Sequence, residues 1–354
     1  MIMMGESTEK PLYKVKISTR KNNNHLLMQT KGYSGISSCG KYKFFIDEEV
    51  EDPDFWVVRN KHLRSKKTYL VAPENTILLT SEPRGIVNFP KRYRDQFALI
   101  CTCEEKVKHR NKLITPPVLP WFVGVMKEGD KSVPTKDYDK LKNTQFPEKT
   151  KLLSVITSNK AFTKGHQDRI LFVKKLKQHY GDKIDIFGRG FKDFNDKWDV
   201  LAPYKYHIAI ENSYAKYYWT EKISDCYLTG TFPIYYGCTN IEDYFPNKAY
   251  EKIDIHDFNK AIEVIDKAIS ENYYETRQHE LLKAKELVLD DYNFFNIIAK
   301  CCDRMNPDLP KSHYTIKPAK TLLDWHNFYL YFIERNYYQV KSWILGLNRK
   351  DWAE

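Results

Sequence analysis

Residues 204–237 read YKYHIAIENSYAKYYWTEKISDCYLTGTFPIYYG, and this stretch decides the fold. His207–Ile210 is an apolar run of strand length that breaks at Glu211-Asn212-Ser213. Trp219–Thr229 sets Ile223, Cys226 and Tyr227 at helical spacing, and Gly230 stops it. Phe232–Tyr236 returns as a strand before Gly237. Strand, helix and strand in this order make a crossover between parallel neighbours, and ligands of such sheets bind beyond the strands' carboxyl ends.

The rhythm extends upstream. Leu152–Thr157 reads as a strand, and Ile184–Phe187 as another. Between them, Gln167–Tyr180 is a helix with Ile170, Val173 and Leu176 on one face and Gly181 at its end. Polar residues follow each strand: Ser158, Asn159, Lys160, Gly165, His166 and Arg169 after the first, Gly188-Arg189-Gly190 after the second, Glu211-Asn212-Ser213 after the third. Cations, amides and glycines thus gather on one rim, which suits a nucleotide diphosphate. Arg offers a planar fork and Lys a point charge, glycine admits close backbone approach, and the helix opening near Trp219 adds its positive end. Taken singly, His166 reads as a capping or structural histidine, and Glu221 with Lys222 as a solvated pair.

The chain has 354 residues, enough for two domains, which we place at 1–150 and 151–320, with a C-terminal helix in 321–354. In the first part Tyr13–Ser18, Tyr42–Asp47, Phe55–Arg59, Thr76–Thr80 and Phe97–Cys101 read as short strands, with Lys61–Lys67 a loop between them. Prolines make 116–149 a connecting segment. From Phe258 the tail reads as helical. Its last helix, Thr321–Leu345, carries Leu322, Trp325, Phe328, Tyr329 and Phe332 on one stripe and is expected to cross back to the first half.

A net charge of +11 implies an anionic partner. Lys and Arg are dispersed and no nucleic-acid module occurs, so nucleic acid is not expected. Peripheral contact with an anionic membrane is a reading for the last helix, where Arg335, Lys341, Arg349 and Lys350 accompany aromatics. Seven cysteines in no disulfide pattern suggest reduced thiols. The first residues do not read as a signal peptide, and no apolar run reaches ~20 residues, so a cytoplasmic protein is expected.

The quoted stretch resembles the signature of the α1,3/4-fucosyltransferases. The shared pattern is an apolar strand into Glu211-Asn212-Ser213, then Tyr218-x-Thr220-Glu221-Lys222 opening a helix, then Gly230 and Phe232-Pro233-Ile234, followed by Ile241-Glu242-Asp243-Tyr244-Phe245-Pro246. The resemblance implies an α/β, GT-B-like fold of two Rossmann-like domains facing across a cleft, the first holding an acceptor oligosaccharide and the second the nucleotide sugar. It implies inverting transfer of fucose from GDP-fucose, with another nucleotide sugar in the same pocket as the alternative.

Position by position, the resemblance gives Arg189 and Lys222 the diphosphate, and Asn212 and Tyr218 the nucleotide or phosphates. It sets Glu221 against the sugar ring, while Glu211 orients its loop and Ser158 with Arg169 lines the nucleotide pocket. Glu82, in Thr80-Ser81-Glu82-Pro83, is similar in position to the family's general base, with Glu104 and Glu105 in reserve. No cofactor or essential metal is expected, because two cations can offset the diphosphate. The Asp-x-Asp triplets at 52–54 and 137–139 read as solvated turns.

Overall fold

The computed structural model describes residues 12–19, 23–81, 89–129, 131–161 and 163–322, with separate helical positions between 329 and 344. In the first half, β1 (Tyr13–Ser18), β2 (Tyr42–Ile46) and β3 (Phe55–Arg59) join one parallel sheet, while β4 (Lys67–Val71) stands outside it. β5 (Thr76–Leu79), helix α1 (Lys91–Arg94), β6 (Leu99–Thr102) and β7 (Lys112–Ile114) follow, giving the strand order β2-β1-β3-β5-β6-β7. Both faces of this sheet are covered, so its strands read as nearly unbroken apolar runs. Along β3, Phe55 and Val57 enter one core while Trp56 and Val58 enter another on the opposite face.

The segment 116–149 is more than a connection. It holds the antiparallel hairpin β8 (Val125–Glu128) with β9 (Lys131–Pro134), and helix α2 (Tyr138–Asn143), capped by the Asp137 side chain. The hairpin strands are largely exposed, so they lack the apolar run that would announce them.

The second half is a five-stranded parallel sheet. β10 (Lys151–Ile156) leads through α3 (Lys164–Tyr180) to β11 (Ile184–Phe187). The quoted stretch then supplies β12 (Tyr204–Ala215), α4 (Glu221–Thr229) and β13 (Phe232–Cys238), and β14 (Glu251–Lys252) completes the order β11-β10-β12-β13-β14. β12 outruns the apolar core of its sequence because it stays paired to β13 past an irregularity between Ile210 and Ala215. Helix α4 begins at Glu221 because the Thr220 hydroxyl caps it by accepting from the Lys222 N–H. At its other end Gly230 is left-handed (φ 66°), and its N–H closes on the Cys226 and Tyr227 carbonyls.

Helices α5 (Phe258–Ser270), α6 (Tyr273–Thr276) and α7 (Gln278–Asp290) finish this layer. The chain then returns to the first half. Helix α8 (Phe294–Cys302) buries Phe294, Phe295 and Ile298 against β1, β2 and β3, and β15 (Ser312–Ile316) pairs antiparallel with β4. The two chain crossings are tied at Gln29, whose side chain donates to the Trp121 carbonyl (2.9 Å) while its carbonyl accepts from Asn293 (2.7 Å).

Of the expected C-terminal stripe, two residues are described. Leu322 packs on the first half and Tyr329 is exposed; Trp325, Phe328 and Phe332 lie outside the described residues. Among the described residues no helix is long and apolar enough to cross a membrane.

Candidate active site

The polar residues at the carboxyl ends of β10, β11 and β12 form one connected set. Gly165, in the first turn of α3, lies so near β12 that a Cβ there would sit 2.1 Å from the Asn212 carbonyl oxygen. That approach sets Arg169, one turn on, against the Asn212 side-chain oxygen, to which its guanidinium donates. The same guanidinium reaches the Ser158 carbonyl and hydroxyl, both at 3.4 Å. Ser158 adjoins Asn159, whose N–H donates to the Arg189 carbonyl (3.1 Å). The Arg189 side chain is exposed and makes no hydrogen bond or ion pair among the described residues.

Glu211 is the buried hub of the other side. Its carboxylate accepts from the Thr220 N–H (2.8 Å) and hydroxyl (2.9 Å) and from the Lys222 ammonium (3.1 Å), so it ties β12 to the start of α4 across the segment between them. Lys222 also meets Glu221 at 3.6 Å. Burial pushes the Glu211 carboxyl upward against the pull of Lys222. Burial alone would depress Lys222; Glu211 and Glu221 reverse this and hold it above the usual lysine range. Burial likewise opposes ionisation of Glu221, but Lys222 and Lys197 outweigh it and keep this carboxyl low. Burial lowers Arg169 to about 10, still a cation at neutral pH.

Tyr218 is buried beneath this set, its carbonyl accepting from the Tyr235 hydroxyl (3.5 Å). The His166 ring lies against the Thr163 hydroxyl (2.5 Å), which caps α3. Burial, together with Arg169, Lys160 and Lys222, pushes His166 down to about 3, so it is neutral at physiological pH.

Lys197 and Asp225 were missed in the sequence. They pair at 2.7 Å, and Asp225 also accepts from the Phe122 N–H (3.0 Å), which fixes the inter-half segment onto α4. The available signal was an aspartate inside the apolar run of α4, four residues after Glu221.

In the first half Glu82 lies outside the described residues. The chain leaves β5 toward it from Ser81, whose N–H donates to the Asn60 side chain (2.8 Å). Of the reserve carboxylates, Glu104 accepts from the Lys106 N–H (3.2 Å), whereas Glu105 reaches across to accept from the Tyr217 hydroxyl (3.3 Å) in the loop after β12. The Asp-x-Asp triplets are not free turns. Asp52 and Asp54 pair with Lys14 and Lys311, and Asp139 accepts from the Gly32 N–H (2.6 Å).

Known proteins carry the same pattern. The family described as glycosyltransferase family 10 (fucosyltransferase), C-terminal part, matches residues 146–325, half of the chain. An alpha-(1,3)-fucosyltransferase of Helicobacter pylori is 37% identical over 71 residues, 20% of this chain and 14% of that protein. The 4-galactosyl-N-acetylglucosaminide 3-alpha-L-fucosyltransferase 9 of Mus musculus is 30% identical over 125 residues, 34% of this chain and 33% of that protein. These matches therefore span a third or less of the curated relatives' length.

Among solved structures, an alpha1,3-fucosyltransferase with GDP superposes with TM-score 0.50 at 18% identity, covering 88% of this chain and 95% of that one. An alpha-glucosyltransferase with UDP gives TM-score 0.51 at 8% identity, covering 83% and 100%. At such identities the likeness speaks for the fold, the two-sheet GT-B arrangement. With the family pattern matched across half of its length and that fold beneath it, the chain belongs to glycosyltransferase family 10, the fucosyltransferases.

Proposed function

We propose that this chain transfers fucose from GDP-fucose to a hydroxyl of an acceptor oligosaccharide, in α1,3 linkage and with inversion. The observation that carries the reading is the connected set from Arg189 through Ser158, Arg169 and Asn212 to Glu211, Lys222 and Glu221, inside the family-matched span. The names of the relatives and the nucleotide in a neighbour's site support GDP-fucose as donor. In this proposal residues 151–290 hold the donor, and the first sheet with α8 and β15 holds the acceptor.

The acceptor oxygen attacks the anomeric carbon while Glu82 takes its proton, and the bond to the diphosphate breaks so that GDP leaves with the electron pair. Lys222, Arg169 and Arg189 offset the charge on the departing diphosphate, an effect typically worth about 3 kcal/mol per preorganised donor. Glu221, ionised beside Lys222, faces the sugar as positive charge develops on it. Seven free thiols support a reducing, cytoplasmic setting. Exposed Tyr329, Tyr337 and Trp343 support peripheral contact with an anionic membrane.

Thermal-shift titration with GDP, UDP and CMP tests the reading. GDP is expected to raise the melting temperature most. If UDP or CMP leads, the donor is another nucleotide sugar.

A further inference from the structure

A surface groove of about 710 Å³ lies away from the strand tips of the second half. It runs along α1 and the loop after β6. Its lining sets Lys91, Lys106, Lys108, Arg110 and Lys112 against two carboxylates, Asp95 and Glu105. Asp95 is engaged by Lys91 at 2.7 Å, and Glu105 by the Tyr217 hydroxyl. Lys112 donates to the Glu105 and Val107 carbonyls and so braces the loop that forms the wall. Lys106, Lys108 and Arg110 have no side-chain hydrogen bond or ion pair among the described residues.

Five cations against two carboxylates leave the lining with a net positive charge, and Lys106, Lys108 and Arg110 form no ion pair among the described residues, so the groove favours an anionic occupant. One lining residue, Glu105, reaches the second half by accepting from the Tyr217 hydroxyl after β12, so a chain lying past Glu105 meets the seam between the two halves. His109 is the single ring in the groove's lining, too few to stack successive nucleic-acid bases. Its single apolar residue, Val107, leaves little to insert into a bilayer.

We infer that this groove binds an acidic acceptor, an oligosaccharide bearing sulfate or carboxylate groups, and delivers its end to the seam. The inference deepens the fucosyl-transfer reading and rests on it for the reaction at the seam, whereas the charge of the groove stands independently.

Calorimetric titration of the full chain with a sulfated N-acetyllactosamine tetrasaccharide, its desulfated counterpart, a single-stranded DNA and phosphatidylserine vesicles tests it, with GDP titrated in parallel. The sulfated sugar is expected to bind about tenfold more tightly than the desulfated one, as several exposed ion pairs together allow. That margin should shrink with added salt and disappear in the triple variant Lys106→Gln, Lys108→Gln, Arg110→Gln, with GDP affinity unchanged. Equal binding of the two sugars by the wild type, or an intact margin in the triple variant, overturns the inference. So does tighter binding of DNA or vesicles that the triple variant loses. Failure of GDP to bind the wild type would count against the fucosyl-transfer reading and leave the comparison of the two sugars intact.

Discussion

Lys222 and Arg189 carry the same charge in different company, and that difference separates their substitutions. The Lys222 ammonium balances the fully buried carboxylate of Glu211, while the Arg189 side chain stands exposed and unpaired among the described residues. Lys222→Ala is expected to lower stability by about 3–5 kcal/mol, because it strands a buried charge, and to weaken GDP binding as well. Arg189→Ala should cost under about 0.5 kcal/mol of stability yet reduce GDP affinity about tenfold. Urea melts and GDP titration of both variants check this. The Glu-Asn-Ser and Thr-Glu-Lys residues were legible as a polar rim because they follow an apolar run. That Glu211 orients its loop came only from the resemblance, and no local pattern shows its partners, since Thr220 and Lys222 meet it only when the segment between them folds back.

Among the elements, those buried on both sides were the readable ones. β10, β12 and β13 announce themselves as apolar runs, and the spacing in α3 marks its one buried face, whereas α4 is buried all round from Ile223 to Thr229. β4 alternates weakly, and its partner β15 lies more than two hundred residues away, so no local pattern encodes their pairing. The end of α4 is local chemistry of a different kind. Gly230 is left-handed, and a Cβ there would fall 2.2 Å from the Phe146 ring. Gly230→Ala is therefore expected to cost more than the ~1 kcal/mol of a left-handed alanine, because Phe146 must also move. A lowered urea midpoint with an unchanged slope checks it.

Across the molecule, two buried histidines set an acid limit. Burial pushes His207 from 6.5 down to about 3, with Lys197 adding to the effect, and His166 shows the same displacement. Above pH 6.5 both the folded and unfolded chains keep these rings neutral, and stability is complete. Between 6.5 and about 3 only the unfolded chain takes up the protons, so stability falls by about 1.4 kcal/mol per pH unit for each ring. At pH 5 the loss is about 2 kcal/mol per histidine relative to pH 7. His207→Asn, which can keep the bond to Ser154, should remove close to half of this dependence in urea melts at the two pH values.

Because α8 fills the core of the first sheet, that sheet stays unfinished on the ribosome until residues far downstream have emerged. The sheet made from 151–252 needs nothing synthesised after Tyr292 to close its own core. Assembly order should thus run opposite to translation order, with the later-made half settling first and the earlier-made half waiting for its last helix. Chains truncated just before Phe294 and released from the ribosome are expected to resist protease across 151–290 and to be cut within 23–81; protection of both regions at that length would refute the order.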